Sequence, residues 1–247
     1  IRDSTELIEE QGVSVSFDQS GQYLRSENDS KPIDWFVYTS GLPDDHPELV
    51  MAKQLGIKIS QRDGLINQIL ADKKLKLIAV SGTHGKTTTT AMIIWLFKSL
   101  KIPISYSVGT NISFGNSAEY AEESEFFVYE ADEFDRNMLK FKPEIAVLTK
   151  VDFDHPDTYK DRQDYLNAFE QFRRQSQKVV EGSESALESQ IKLAGQHNRA
   201  NAAKAVMAVA LALKTSEVDI LESINQFPGV ERRFEKLRNG LYSDYGH

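Results

Sequence analysis

Residues 74–90 read KLKLIAVSGTHGKTTTT, an apolar run that empties into a glycine-flanked turn ending in Gly85-Lys86-Thr87. This order of residue types suits the holding of a chain of phosphates. Leu75 to Val80 predict a buried parallel strand, and Thr87 to Leu100 predict the helix after it, with Ile93, Ile94 and Phe97 turned inward. The first amides of that helix lack partners within it and carry partial positive charge. Gly82 and Gly85 let the backbone curl close to an anion, with Thr83, His84 and Thr88 completing the turn. Lys86 can reach the β and γ phosphates, and Thr87 offers a hydroxyl to a magnesium ion. ATP and Mg2+ are the expected ligands. One position departs from the usual GxxxxGK[ST] spacing: Val80 stands where the first glycine belongs, and that glycine has moved to Gly82.

Three further clusters fall where a second and third strand or a later helix could bring them to the same place. The apolar stretch 126–129 runs into Glu130-Ala131-Asp132-Glu133-Phe134-Asp135, four acids at the carboxyl end of a strand, where parallel α/β sheets bind ligands. Read alone, such a run is a solvated helix start or a metal site. Beside the phosphate turn, Glu130 is the residue placed to meet a magnesium ion held by Thr87. The next strand, Ile145 to Thr149, empties into Lys150 to Asp157, where His155 is a candidate for a second metal position. His197 and Asn201 lie four apart at the start of a helix and share one face. Arg232 and Arg233 follow a Pro-Gly turn, as forked anion contacts or as a surface pair.

The elements that must position these groups are short and alternate between helix and strand. Helical patterns cover Ser4–Gln11, Pro47–Leu55 and Gly64–Ala71, with strands at 13–17, 35–39 and 57–59. This predicts a small α/β domain, a partial Rossmann-like unit over 1–73, bounded by the charged run Asp72-Lys73-Lys74. Because it opens in a helix with no Gly-rich turn before it, an N-terminal segment is expected to be missing. Residues 74–240 predict a P-loop-type ATPase domain, a mostly parallel sheet flanked by helices. Its later helices fall at about 160–178, 198–213 and 216–226, and residues 181–189 read as a loop or as a splice across missing sequence.

With 247 residues the chain has room for two domains, and 40% hydrophobic with 27% charged residues is a soluble globular composition. The longest apolar run, 205–213, is too short to cross a bilayer. A net charge of -8 argues against a general nucleic-acid binder, so an anionic ligand must be gripped by a few local groups. The absence of cysteine excludes disulfides and thiolate metal sites, and with no signal-peptide pattern a cytoplasmic setting is expected.

Together and in this order, GTHGKTTT at 82–89, EADEFD at 130–135, DFDHPDTY at 152–159, GQHNRAN at 195–201 and GVERRFE at 229–235 resemble the Mur ligases. These are ATP-dependent amide-forming enzymes of bacterial peptidoglycan synthesis. The closing SDYGH, 243–247, is similar to the family's block joining the central domain to a C-terminal one, so 241–247 would be a linker into a missing domain. His84 within the loop resembles the branch acting on UDP-N-acetylmuramate, and the reaction so implied joins L-alanine to that sugar's carboxylate. Attachment of a ready-made tripeptide to the same nucleotide sugar is the alternative within the family. A nucleotide-binding module without ligase activity is the alternative outside it.

The resemblance implies Lys86 on the ATP phosphates, Thr87 and Glu130 on one magnesium, and His155 on a second. It also implies His197 and Asn201 near the adenine, Arg233 on the phosphate side and Asp244 near the ribose. Ser40, Gly41 and Asn111 are candidates for the sugar nucleotide. Two departures mark the chain: Lys150 stands where the family usually has Asn, and the stretch between Val180 and His197 is short.

Overall fold

The computed structural model describes residues 8–10, 12–182, 185–230, 235–238 and 241–243. Two compact units divide it, Ile1–Ile66 and Asn67–His247. In the first, α1 (Gln22–Ser30), β1 (Trp35–Tyr38), α2 (Pro47–Gln54) and β2 (Lys58–Gln61) precede α3 (Arg62–Lys73), and the division falls inside α3. β1 and β2 pair in parallel, Trp35 opposite Lys58, over a small core of Leu24, Ala52 and Ile57.

The strand expected over residues 13–17 does not form. Val13 and Phe17 are exposed, and Ser16 and Asp18 use their side chains locally. Asp18 accepts N–H bonds from Ser20 at 2.9 Å and from Tyr23 at 3.1 Å, so the alternation Val-Ser-Val-Ser-Phe is an approach to α1. Helix α1 itself carries no apolar pattern to announce it, with Leu24 its one buried side chain. The helix expected over Ser4–Gln11 lies largely outside the described residues.

The second unit is built on β3 (Lys76–Ser81), α4 (Lys86–Ser99), β4 (Ser105–Ser107), β5 (Ala118–Glu119), β6 (Phe126–Glu130) and β7 (Ile145–Leu148). It continues with α5 (Arg162–Gln175), β8 (Lys178–Val180), α6 (Ser185–Glu188), α7 (Gln196–Leu213), α8 (Glu217–Asn225) and a hairpin of β9 (Glu235–Arg238) with β10 (Leu241–Ser243). Six strands form one sheet in the order β5-β4-β6-β3-β7-β8, parallel throughout except for β5. Central β3 is buried from Leu77 to Ser81, as a parallel strand covered on both faces must be. Its neighbours are the two strands that end in the acids and in the His155 loop, with Val80 opposite Glu130 and Ser81 opposite Leu148. The sheet order therefore brings three sequence-distant loops to one edge.

Helix α4 buries nine residues, including Thr89, Thr90, Ile93, Ile94 and Phe97. Each large apolar side chain so buried contributes roughly 1.5–3 kcal/mol, which outweighs the modest helix propensity of a four-threonine start. Against it lies α7, whose buried face is largely alanine: Ala202, Ala203, Ala205, Ala208 and Ala210. Side chains this small let the two helices approach closely and fix the start of α7 beside the phosphate turn. Helix α5 is capped by Asp161, which accepts from Asp164 N–H at 2.8 Å. Strands β4 and β8 are three residues each, too short to carry a period in the sequence. Among the described residues no helix is long and apolar enough to cross a membrane.

Candidate active site

The turn between β3 and α4 is fastened from below. Thr83 N–H donates to the Lys150 carbonyl at 2.8 Å, and the Thr83 hydroxyl donates to the Asp152 carbonyl at 2.6 Å. That hydroxyl in turn accepts the Asp152 N–H at 2.8 Å and pairs with the Tyr165 hydroxyl at 2.7 Å. Burial pushes the Tyr165 hydroxyl pKa up, keeping it a neutral partner at physiological pH. Lys150 serves the turn through its backbone carbonyl, which any residue provides, while its side chain turns out to Asp152 at 2.6 Å. That hydrogen bond holds the exposed Asp152 carboxyl below its ordinary value.

Gly82 and Gly85 have φ values of 137° and 90°, in the region that favours glycine. At Gly85 the constraint comes from α7: a Cβ there would lie 2.8 Å from both amide atoms of Asn201. Asn201 thus backs the phosphate turn directly, and His197 sits one turn earlier, exposed at the α7 start. Helix α4 begins at Lys86 with no side chain capping it, so its first amides open into the cavity.

That cavity, about 480 Å³, is lined by the turn from Thr83 to Thr88 and by Glu130, Asp132, Glu133, Asp154 and His155. Its size is that of a small-molecule site. Thr87 donates its hydroxyl to Glu130 Oε1 at 2.8 Å, and Gly109 N–H donates to Glu130 Oε2 at 3.1 Å. Asn111, exposed, lies two residues beyond Gly109 in the same loop. Thr87 and Glu130 therefore present adjacent oxygens, a donor set suited to a hard divalent cation. Among the described residues no three His, Asp or Glu side chains close around a cation by themselves. Magnesium needs no such cage, because it takes one or two carboxylates and completes its shell with phosphate and water. The residues present fit that ion.

Glu133 is the residue that sequence reasoning did not single out. Its side chain is 1% exposed, and it embraces the Lys86 ammonium with Oε1 at 2.9 Å and Oε2 at 2.7 Å. The second contact is an ion pair without a hydrogen bond. Burial pushes the Glu133 carboxyl above the ordinary carboxylate value, and Lys86 opposes that shift. Lys86 also donates to the Gly82 carbonyl at 2.7 Å, so in this state it is folded back onto its own loop. His155 reaches the same carboxylate, Nε2 standing 3.6 Å from Glu133 Oε1, with its ring edge-on to Phe134.

Glu133 caps the start of a 3-10 segment, Phe134–Lys140, with left-handed backbone at Asp135 and Arg136. His155 is left-handed too. Three non-glycine residues so held, each costing on the order of 1–3 kcal/mol, mark a functional neighbourhood. The surroundings hold them: Tyr159 donates to the Glu133 carbonyl at 2.5 Å, and Arg136 pairs with Asp164 at 2.6 Å. Of the remaining expected site residues, Ser40 and Gly41 lie in the turn after β1 in the first unit. Arg232, Arg233 and Asp244 lie outside the described residues.

Residues 80–182, which carry the phosphate turn, the acidic run and the His155 loop, match the Mur ligase middle domain. A UDP-N-acetylmuramate–L-alanine ligase of Clostridium botulinum (strain Langeland) is 29% identical over 98% of the chain and 63% of its own length. The corresponding enzyme of Lactiplantibacillus plantarum is 30% identical over 83% of the chain and 56% of its own length. Among solved structures, UDP-N-acetylmuramate-alanine ligase MurC from Thermotoga maritima aligns with a TM-score of 0.80 at 26% identity. That match covers 99% of this chain and 66% of that one. UDP-N-acetylmuramate:L-alanyl-gamma-D-glutamyl-meso-diaminopimelate ligase from Neisseria meningitides shares the fold, with a TM-score of 0.74 at 20% identity over 92% and 87% of the two chains. The chain thus spans about two thirds or less of the length of these L-alanine ligases.

Proposed function

We propose that the chain carries the ATP site of a cytoplasmic ligase that joins L-alanine to the carboxylate of UDP-N-acetylmuramate in peptidoglycan precursor synthesis. The observation that carries this reading is the convergence of Lys86, the uncapped start of α4 and the Thr87–Glu130 pair on one cavity. The similarity to L-alanine ligases over nearly the whole chain supplies the substrates.

A carboxylate resists attack because its charge is delocalised and oxide is a poor leaving group. Transfer of the γ-phosphoryl group from ATP to a carboxylate oxygen breaks the bond to ADP and forms an acyl phosphate. The L-alanine amine then attacks the acyl carbon, and the tetrahedral adduct collapses to amide and phosphate as the amine loses a proton. The chain's part is alignment and positive charge. Lys86 turns from Glu133 to the β and γ phosphates, and the α4 amides hold the phosphate oxygens. Thr87 and Glu130 would hold one magnesium and His155 a second, supplying charge that offsets the transferring phosphoryl group. In this reading Asn201 keeps the turn in shape and, with His197, borders the adenine. Arg233 meets the phosphates and Asp244 the ribose; residues 1–73 are a sugar-nucleotide-binding domain, with Ser40 and Gly41 its candidate contacts, and Asn111 is a separate candidate.

The test is phosphate release by the full-length gene product with ATP, Mg2+ and UDP-N-acetylmuramate. Release is expected to depend on L-alanine. Dependence on the tripeptide L-Ala-γ-D-Glu-meso-diaminopimelate in its place would assign the recycling reaction. Failure to bind UDP-N-acetylmuramate at all would reduce the protein to a nucleotide-binding module.

A further inference from the structure

The cavity is an unusual place to put an anion. Four carboxylates line it, Glu130, Asp132, Glu133 and Asp154, and Lys86 is the one ammonium among its described lining residues. That ammonium is already engaged by the most buried of the four. We infer that Glu133 is a specificity-determining residue that acts through Lys86: its buried carboxylate occupies the lysine in the place phosphate would take, and so disfavours nucleotide that arrives without a metal ion. This inference rests on the ATP reading of the site.

The partners differ in their freedom to move. Glu133 is 1% exposed, its carbonyl is held by Tyr159, and the neighbouring Asp132 carbonyl accepts from Met138 N–H at 2.8 Å. Lys86 is 15% exposed on a flexible four-carbon stem at the cavity wall. Engagement of phosphate is therefore a swing of Lys86 away from a carboxylate that stays where it is. A bare nucleotide takes the lysine and leaves Glu133 buried without its counter-charge, next to new negative charge. A nucleotide that carries a divalent cation returns positive charge to the same carboxylates, so its entry does not leave that deficit. Discrimination comes from what is left unpaired in the wrong complex.

Equilibrium binding of ATP to this chain, in EDTA and in Mg2+, tests the inference with Glu133→Gln. This variant keeps the shape of the side chain and removes its charge; Glu133→Ala serves as a second variant should the buried amide disturb folding, which thermal melting of each protein reports. Both are expected to bind ATP in EDTA roughly tenfold tighter or more than the parent chain. Adenosine, which has no phosphate, is expected to bind all of them alike. The gain is expected to shrink in a Lys86→Ala background, where no ammonium remains to be released. The inference is overturned if the variants bind metal-free ATP no tighter than the parent, or if ATP and adenosine shift together. If the parent chain fails to bind ATP even in Mg2+, the ATP reading falls and the inference falls with it.

Discussion

Lys86→Ala is expected to lower turnover of the full-length protein by about 100- to 1,000-fold, the usual consequence of removing one preorganised electrostatic donor from a transition state. The helix-start amides remain, so nucleotide binding weakens without vanishing. The structure adds a second consequence. Lys86 is the counter-charge of a carboxylate that is 1% exposed, and its loss leaves Glu133 with His155 at 3.6 Å as its nearest ion-pair partner. An uncompensated buried charge costs roughly 3–5 kcal/mol, less whatever is recovered when Glu133, its pKa already raised by burial, takes up a proton. Lys86→Ala should therefore melt at a lower temperature than the parent, and the Lys86→Ala, Glu133→Gln double variant should recover part of that stability without recovering turnover. Near-parental turnover by Lys86→Ala contradicts the phosphate role, and an unchanged melting temperature contradicts the buried pair.

Gly82→Ala is the backbone counterpart. At φ 137° an L-residue is strained, and the added Cβ would press into Thr149 Oγ1 while standing 3.1 Å from the Lys150 carbonyl. Neither neighbour gives way freely. Thr149 N–H bonds the Ser81 carbonyl at 2.9 Å, and the Lys150 carbonyl holds Thr83 N–H at 2.8 Å. Relief requires parting the ends of β3 and β7, which moves the phosphate turn relative to Glu130 and His155. A glycine-to-alanine change in an incompatible conformation costs more than about 1 kcal/mol. A misplacement of about 1 Å in such a site costs on the order of 100-fold in rate. ATP affinity and turnover are thus expected to fall together, while the same change at Gly12, where a Cβ would meet nothing within 4 Å, leaves both unchanged. Parental ATP affinity in Gly82→Ala would show that the turn does not need this close approach. The same geometry accounts for the shifted glycine of the loop. Val80 is an interior residue of β3, opposite both Glu130 and Val147, and the close approach that requires glycine comes two residues later.

The core of this arrangement was legible because its strands are continuous apolar runs and its turn has a fixed order of glycine, lysine and threonine. β3, α4, β6 and β7 follow directly from those patterns, and Thr87 and Glu130, expected from the sequence to share a magnesium ion, stand 2.8 Å apart. The sequence alone does not distinguish Glu133 from the other acids of the run 130–135. What sets Glu133 apart is the left-handed backbone at Asp135 and Arg136 together with Tyr159, 26 residues away, and neither leaves a periodic signal. The strand read into residues 13–17 failed for a related reason. Alternation makes a strand only where a neighbour completes its hydrogen bonds, and among the described residues β1 pairs with β2 and with no other strand.

The central claim is that phosphoryl transfer in this site activates a carboxylate for attack by L-alanine. It is tested most directly by following oxygen: UDP-N-acetylmuramate labelled with oxygen-18 in its lactyl carboxylate is turned over by the full-length protein with ATP and L-alanine, and the released phosphate is weighed by mass spectrometry. One labelled oxygen per phosphate released is the predicted result, because the acyl phosphate carries a carboxylate oxygen away on phosphorus. Phosphate free of label, with turnover and amide formation intact, would contradict it.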